Sequence, residues 1–244
     1  MKSDAMHHTI LLVDIKEFRG AKRTGDIRAN LREQLYRLVR EALKRAEVTQ
    51  WEEADRGDAV LILVAADVAK TRLLDAWVLW LASGLRRYND RSSPGAEMRL
   101  RAAVHWGEVT RDENGFVGTD LDDTFRLLDC VPIRKALDSS SAGLAVIVSD
   151  PFYQSVVKAD AGLIGPNEFE QVEVRIKELR TTAWITVRGT VRATSARRSE
   201  TRVPSQSASP SGIVFHGETR VGRDVVQGDV TNYGGERDER WDRE

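Results

Sequence analysis

Two aspartates lie where short apolar runs meet polar chain. Asp14 follows His8-Thr9-Ile10-Leu11-Leu12-Val13, and Asp58 closes Asp55-Arg56-Gly57-Asp58 just ahead of Ala59-Val60-Leu61-Ile62-Leu63-Val64. Each run is short, rich in branched residues and bounded by polar ones, the pattern of a buried strand with an acid at its tip. Carboxylates at neighbouring strand ends make a site for hard divalent cations, which take oxygen ligands and bring phosphate substrates with them. Plainer readings stand beside this one. A lone Asp14 more often caps the following helix, and Asp55 to Asp58 also reads as a simple turn, because Gly and Asp favour turns.

The elements that must position the pair follow from periodicity. Asp26 to Val48 repeats Leu31, Leu35, Leu38, Val39, Ala42 and Leu43 at helical spacing, an amphipathic helix leading back to the Asp58 strand. Leu73 to Tyr88 is a second helix, with Trp77 and Trp80 on a broad apolar face suited to core or to a dimer surface. Met98 to His105 alternates as a strand, with His105 a structural residue. It continues through Gly107-Glu108-Val109 and a turn at Asp112-Glu113-Asn114-Gly115 to Phe116-Val117-Gly118, a strand pair joined by a hairpin. Leu121 to Leu137 reads as one helix, Leu144 to Val148 as a strand and Asp150 to Val157 as a short helix. Val172 to Ile176 and Ala183 to Val187 form a closing strand pair. Crossovers mixed with hairpins predict an α+β domain with a mixed or antiparallel sheet.

From Thr190 the composition changes. Residues 190–212 are rich in Ser, Arg, Thr and Pro and read as a disordered linker; residues 213–244 repeat valine and glycine at short intervals, a tail suited to brief strands. The domain itself occupies residues 1–189. With 244 residues, 41% hydrophobic, the chain can bury a sizeable core. Its formal net charge of -1 provides no global field for nucleic acid or an anionic membrane, so any polyanion site is local. Cys130 is the only cysteine, which excludes an internal disulfide, and no Cys/His cluster suggests zinc. The N-terminus lacks a hydrophobic signal core, and the longest apolar stretch, Leu73 to Ala82, carries Asp75 and is too short to span a bilayer. A soluble cytoplasmic protein is expected.

Four ordered segments together resemble the class III nucleotidyl cyclases across residues 8–188. They are Val13-Asp14-Ile15-Lys16-Glu17-Phe18, Gly57-Asp58-Ala59-Val60, Leu100 to Val109, and Val117 to Leu127. The resemblance implies that family's fold, a ferredoxin-like βαββαβ core, and a homodimer with active sites shared between chains. It implies that Asp14 and Asp58 hold two Mg²⁺ or Mn²⁺ ions with the Ile15 carbonyl as a further ligand. The loop from Ile15 to Gly20, with Phe18 in it, would turn backbone N–H groups toward phosphate. Arg126 matches the arginine that stabilises charge on the α-phosphate; without the motif it would read as an ordinary surface arginine. Lys177 falls near the last phosphate-binding lysine, with Arg175 or Lys16 as alternatives and an ordinary exposed lysine as the plain reading.

Departures from the pattern bear on the substrate. The lysine that reads a purine edge, four residues before the second metal aspartate, is here Ala54; the other base-reading position falls near Gly115, which has no side chain. The asparagine four residues before the arginine is Asp122, an acid beside a developing anion, unfavourable unless protonated, metal-bound or turned to ribose. Lacking the purine-reading pair, the chain looks like the pyrimidine cyclases of bacterial antiphage systems called Pycsar. Thr124 to Asp129 and the long polar C-terminus share in that likeness. It implies UTP as substrate, cyclic UMP as product and a cyclic-nucleotide-responsive effector as partner, with cytidylate or purine cyclisation as the nearest alternative. Val225-Val226-Gln227-Gly228-Asp229-Val230 resembles bacterial amyloid-type signalling segments, which implies a tail-mediated protein partner; a flexible terminus is the plain reading. A rival from another class is a cyclase-derived module that senses nucleotide and signals through this tail without turnover.

Overall fold

In the computed structural model, residues 4–21, 23–159, 162–190, 220–221 and 224–225 are described. The chain divides into two units, Met1–Ser195 and Ala196–Glu244. The first unit is built on an eight-stranded sheet of β1 (Met6–Ile15), β2 (Trp51–Asp55), β3 (Ala59–Ala65), β4 (Leu100–Asp112), β5 (Gly115–Val117), β6 (Ala142–Ser149), β7 (Glu170–Ile176) and β8 (Leu179–Thr190). The order is β2-β3-β1-β4-β6-β8-β7, with β5 added to β4. β4 and β6 are parallel, while β1 runs antiparallel to both β3 and β4. The sheet is mixed, as expected, and β2-β3-β1-β4 is the expected ferredoxin-like core.

The period-two pattern of β1 divides the core between the two faces. Leu11, Val13 and Ile15 pack beneath α1 (Gly25–Arg45), α2 (Lys70–Leu74) and α3 (Ala76–Asn89), whereas Ile10 and Leu12 pack beneath α4 (Thr119–Asp129) and α5 (Val131–Asp138). Thr24 caps α1 through Ile27 N–H, with Asp26 in the first turn and Lys44 and Arg45 in the last, all suited to the helix dipole. Every apolar residue on the predicted α1 stripe is buried.

Two expected helices are each broken in two. Leu121 to Leu137 is not one helix: Cys130 is extended (φ -68, ψ 155), and Pro132 has no N–H to continue the ladder, so α4 and α5 are separate. Leu73 to Tyr88 breaks at Asp75, whose buried carboxylate accepts the Ile164 N–H at 2.9 Å. Trp51–Asp55 carries no apolar alternation and no element was expected there, yet it forms the edge strand β2. Its acids are answered from neighbouring elements, Glu53 by Arg40, Asp55 by Arg32 and Glu52 by Arg111. The 150–157 segment starts as an α-turn, Asp150–Phe152, and continues as a π-turn, Tyr153–Val157.

The link from α3 into β4 is secured by Asn89, which donates to the Met98 carbonyl at 2.8 Å and accepts from Met98 N–H at 3.0 Å, all buried. Asn89→Ala would strip a buried N–H and C=O of partners and is expected to cost about 3 kcal/mol, read as a lower urea midpoint with an unchanged slope.

Thr190 ends β8. The rest of the expected linker, residues 191–212, and most of the tail lie outside the described residues. Within the second unit, Arg220–Val221 and Asp224–Val225 form an antiparallel pair of brief strands. No helix among the described residues is long and apolar enough to cross a membrane.

Candidate active site

Antiparallel pairing of β1 with β3 sets Asp14 opposite Ala59, so Asp58 comes level with Ile15. The Ile15 N–H donates to the Asp58 carbonyl at 3.2 Å, leaving the Asp58 side chain free of that task. The two acids feel each other: burial is the main cause of a raised Asp14 pKa, and the charges of Asp129 and Asp58 push in the same direction. Arg101 opposes the rise. Set opposite Asp14 across β1 and β4, it donates from Nε to Oδ1 at 2.9 Å and from Nη2 to Oδ2.

This donor set suits hard cations. It offers two carboxylates and the Ile15 carbonyl, and a guanidinium already seated on Asp14 shows that the pocket accepts positive charge. No group of three or more His, Cys, Asp or Glu side chains able to hold a metal occurs among the described residues. Magnesium-type sites do not need one, since they complete their shell with water and phosphate.

The loop expected to meet phosphate is a turn after β1, with Glu17 at φ 53. The Lys16 N–H bonds to the Arg99 carbonyl at 2.9 Å and the Gly20 N–H to the Glu17 carbonyl at 2.8 Å. Phe18 is half-buried against the α1-side core, and the Lys16 ammonium pairs with Asp138 and, at 3.5 Å, Glu17. Arg126 pairs with Asp123 at 2.9 Å and with Glu178 at 3.0 Å. Lys177, exposed at φ 50 in the β7–β8 turn, is the neighbour of Glu178, so the turn brings both cationic candidates to one region. Asp122 is exposed in the first turn of α4, and its N–H donates to the Gly118 carbonyl at 3.0 Å. Arg175 is exposed on β7.

Ala54 is half-buried against the α4-side core, and through β3 and β1 it lies level with Ala103. Gly115 pairs with Asp112, nine residues further along β4.

Sequence reasoning missed Arg101, Asp123, Asp129 and Glu178. Arg101 stood among the polar residues of an alternating strand, and only the β1–β4 register pairs it with Asp14. His105 is structural, as expected: Nδ1 lies 2.7 Å from Ser149 Oγ, and Nε2 faces Asp120 at 3.6 Å. Gly107 makes room for that Asp120 carboxylate, which an added Cβ would meet at 2.1 Å. Burial outweighs Asp120 and lowers the His105 pKa below 6.5. The unfolded chain takes up this proton as pH falls through 6.5 while the folded chain resists it, so stability is full above 6.5 and declines below. The thermal midpoint is expected to fall between pH 7.5 and 5.5, and to fall less in His105→Gln.

The fold is that of solved nucleotidyl cyclase domains. The guanylyl cyclase Cya2 aligns with a TM-score of 0.55 at 15% identity, over 80% of this chain and 98% of that one. An adenylate/guanylate cyclase/hydrolase from Silicibacter pomeroyi aligns with a TM-score of 0.53 at 18% identity, over 77% and 99%. A bacterial light-regulated adenylyl cyclase gives 0.54 at 12%, over 75% and 52%. No protein-family model and no curated protein sequence matches the chain. The architecture is therefore the class III cyclase fold, with the two aspartates at adjoining strand ends of its central sheet.

Proposed function

We propose that this chain is a nucleoside triphosphate cyclase whose ribose 3′-oxygen attacks the α-phosphorus. The α–β P–O bond breaks, diphosphate leaves and the hydroxyl proton passes to solvent. The observation that carries the reading is the joining of Asp14 and Asp58 by the Ile15–Asp58 backbone bond. Asp14, Asp58 and the Ile15 carbonyl would hold two Mn²⁺ or Mg²⁺ ions, which when bound acidify the 3′-hydroxyl and neutralise the triphosphate. Arg126 would leave Glu178 and set its fork on the α-phosphate, with Lys177 on the outer phosphates. Phe18 would border the substrate from the phosphate loop, and Asp122 would face the ribose.

Two copies would share each site, the aspartates coming from one chain and Arg126 from the other. The pairing of Arg126 with Asp123 and Glu178 supports this arrangement. UTP is the proposed substrate, because neither Ala54 nor Gly115 offers a side chain to a purine edge. Cyclic UMP would then act as a second messenger in antiphage signalling through an effector that binds it. A domain of residues 1–189 would carry the chemistry, 190–212 would link it, and 213–244 would recruit a protein partner. A nucleotide-sensing module without turnover is the second reading, favoured by the internal engagement of Arg126 with Asp123 and Glu178.

The test is to incubate the purified chain with MnCl₂ and each of ATP, GTP, CTP and UTP and to identify products by mass spectrometry. Cyclic UMP as the main product supports the full reading, and another cyclic nucleotide corrects only the base. Absence of any cyclic product would favour the sensing module.

A further inference from the structure

Both oxygens of the Asp14 carboxylate are already committed to a cation of this chain. Arg101 grips them as a fork, and each of the two side chains is only 13% exposed. The neighbouring pair Arg134–Asp129, by contrast, has side chains 52% and 56% exposed, and water screens it. A guanidinium partly withdrawn from water keeps its charge when its carboxylate is taken, and leaving it unpaired is costly. Divalent ion and guanidinium thus compete for the same two oxygens and repel each other at close range. Asp14, Asp58 and Arg101 sum to a single negative charge, so two divalent ions alone would leave the site strongly positive.

We propose that Arg101 is an internal counter-ion for Asp14 that a divalent cation must displace, so the site loads metal readily only when an incoming polyanion gives Arg101 a new partner. The inference rests on the metal-dependent cyclase reading and adds to it a coupling between cation and anion. Metal alone should bind weakly. Removing Arg101 should move the two affinities in opposite directions, whereas simple damage to the site would weaken both.

The experiment follows free Mn²⁺ by electron paramagnetic resonance as the full chain is titrated at pH 8. It also measures fluorescence of MANT-labelled triphosphates, blocked at the ribose, in saturating Mn²⁺, using the base that the wild type binds best. Arg101→Gln is expected to bind Mn²⁺ alone at least tenfold more tightly than wild type and the MANT-triphosphate at least tenfold more weakly. Arg101→Lys, which keeps the charge without the fork, should gain about threefold for Mn²⁺ and tests the same point if the glutamine variant melts early. Unchanged or weaker Mn²⁺ binding in a folded variant overturns the inference while leaving the cyclase reading intact. Failure of the wild type to bind any MANT-triphosphate with Mn²⁺ overturns both.

Discussion

Asp58→Asn is expected to lower nucleotide cyclisation by about a thousandfold or more while leaving the fold intact, since a metal site supplies several kcal/mol of transition-state stabilisation. The substitution is clean for a structural reason. What Asp58 contributes to the architecture is its carbonyl, which accepts the Ile15 N–H, and asparagine keeps that carbonyl and the shape of the turn. Asp14 is a poorer probe because its carboxylate also answers the partly buried Arg101. Asp14→Asn would leave that guanidinium without its counter-charge and one of its two acceptors and cost about 3 kcal/mol of stability, confounding any loss of rate. Product formed per minute, measured by mass spectrometry alongside a melting curve, separates the two effects. Activity within tenfold of wild type in Asp58→Asn would remove the metal reading.

Arg126→Ala should be comparably severe, because an arginine placed on a transferring phosphoryl group is worth about 10³-fold or more. Arg126→Lys is expected to recover little, as one ammonium cannot reproduce the fork. The sharper result comes from mixing chains. If two copies share each site, Asp58→Asn and Arg126→Ala homodimers would each be inactive, but a heterodimer would contain one composite site with both residues intact. Random exchange should therefore restore about a quarter of wild-type activity. Recovery would show that α4 of one copy serves the aspartates of the other, and no recovery in a mixture shown to exchange chains would place the whole site within one chain. Glu178 enters here too. It holds Arg126 at 3.0 Å from an exposed position on the β7–β8 turn, where water screens the pair and lets it exchange for phosphate.

Much of the central fold was legible because it rests on local patterns. The α1 stripe, the β1 and β3 runs and the β4–β5 hairpin each carry a period or turn signal within a few residues. The failures occurred where a distant partner decided the local structure. Asp75 interrupts a helical stripe because Ile164 donates to it. The edge strand β2 has the wrong pattern for a strand and forms along the ladder that β3 offers it, with arginines of α1 and β4 beside its acids. The α4–α5 break was legible in principle from Pro132, but the continuous apolar spacing of Leu121 to Leu137 outweighed it.

For the site, the amino-acid sequence by itself determined that two acids would stand at the tips of buried strands, because branched apolar runs must be interior and a charged residue must mark their end. It also determined that positions 54 and 115 would offer no polar side chain to a base. Only the tertiary structure decided that Asp14 is held by Arg101 and that Arg126 is held by Asp123 and Glu178. Those facts depend on strand register and on which turn approaches which helix. Pairings between residues as distant as 14 and 101 are fixed by the sheet as a whole, and no local pattern encodes them.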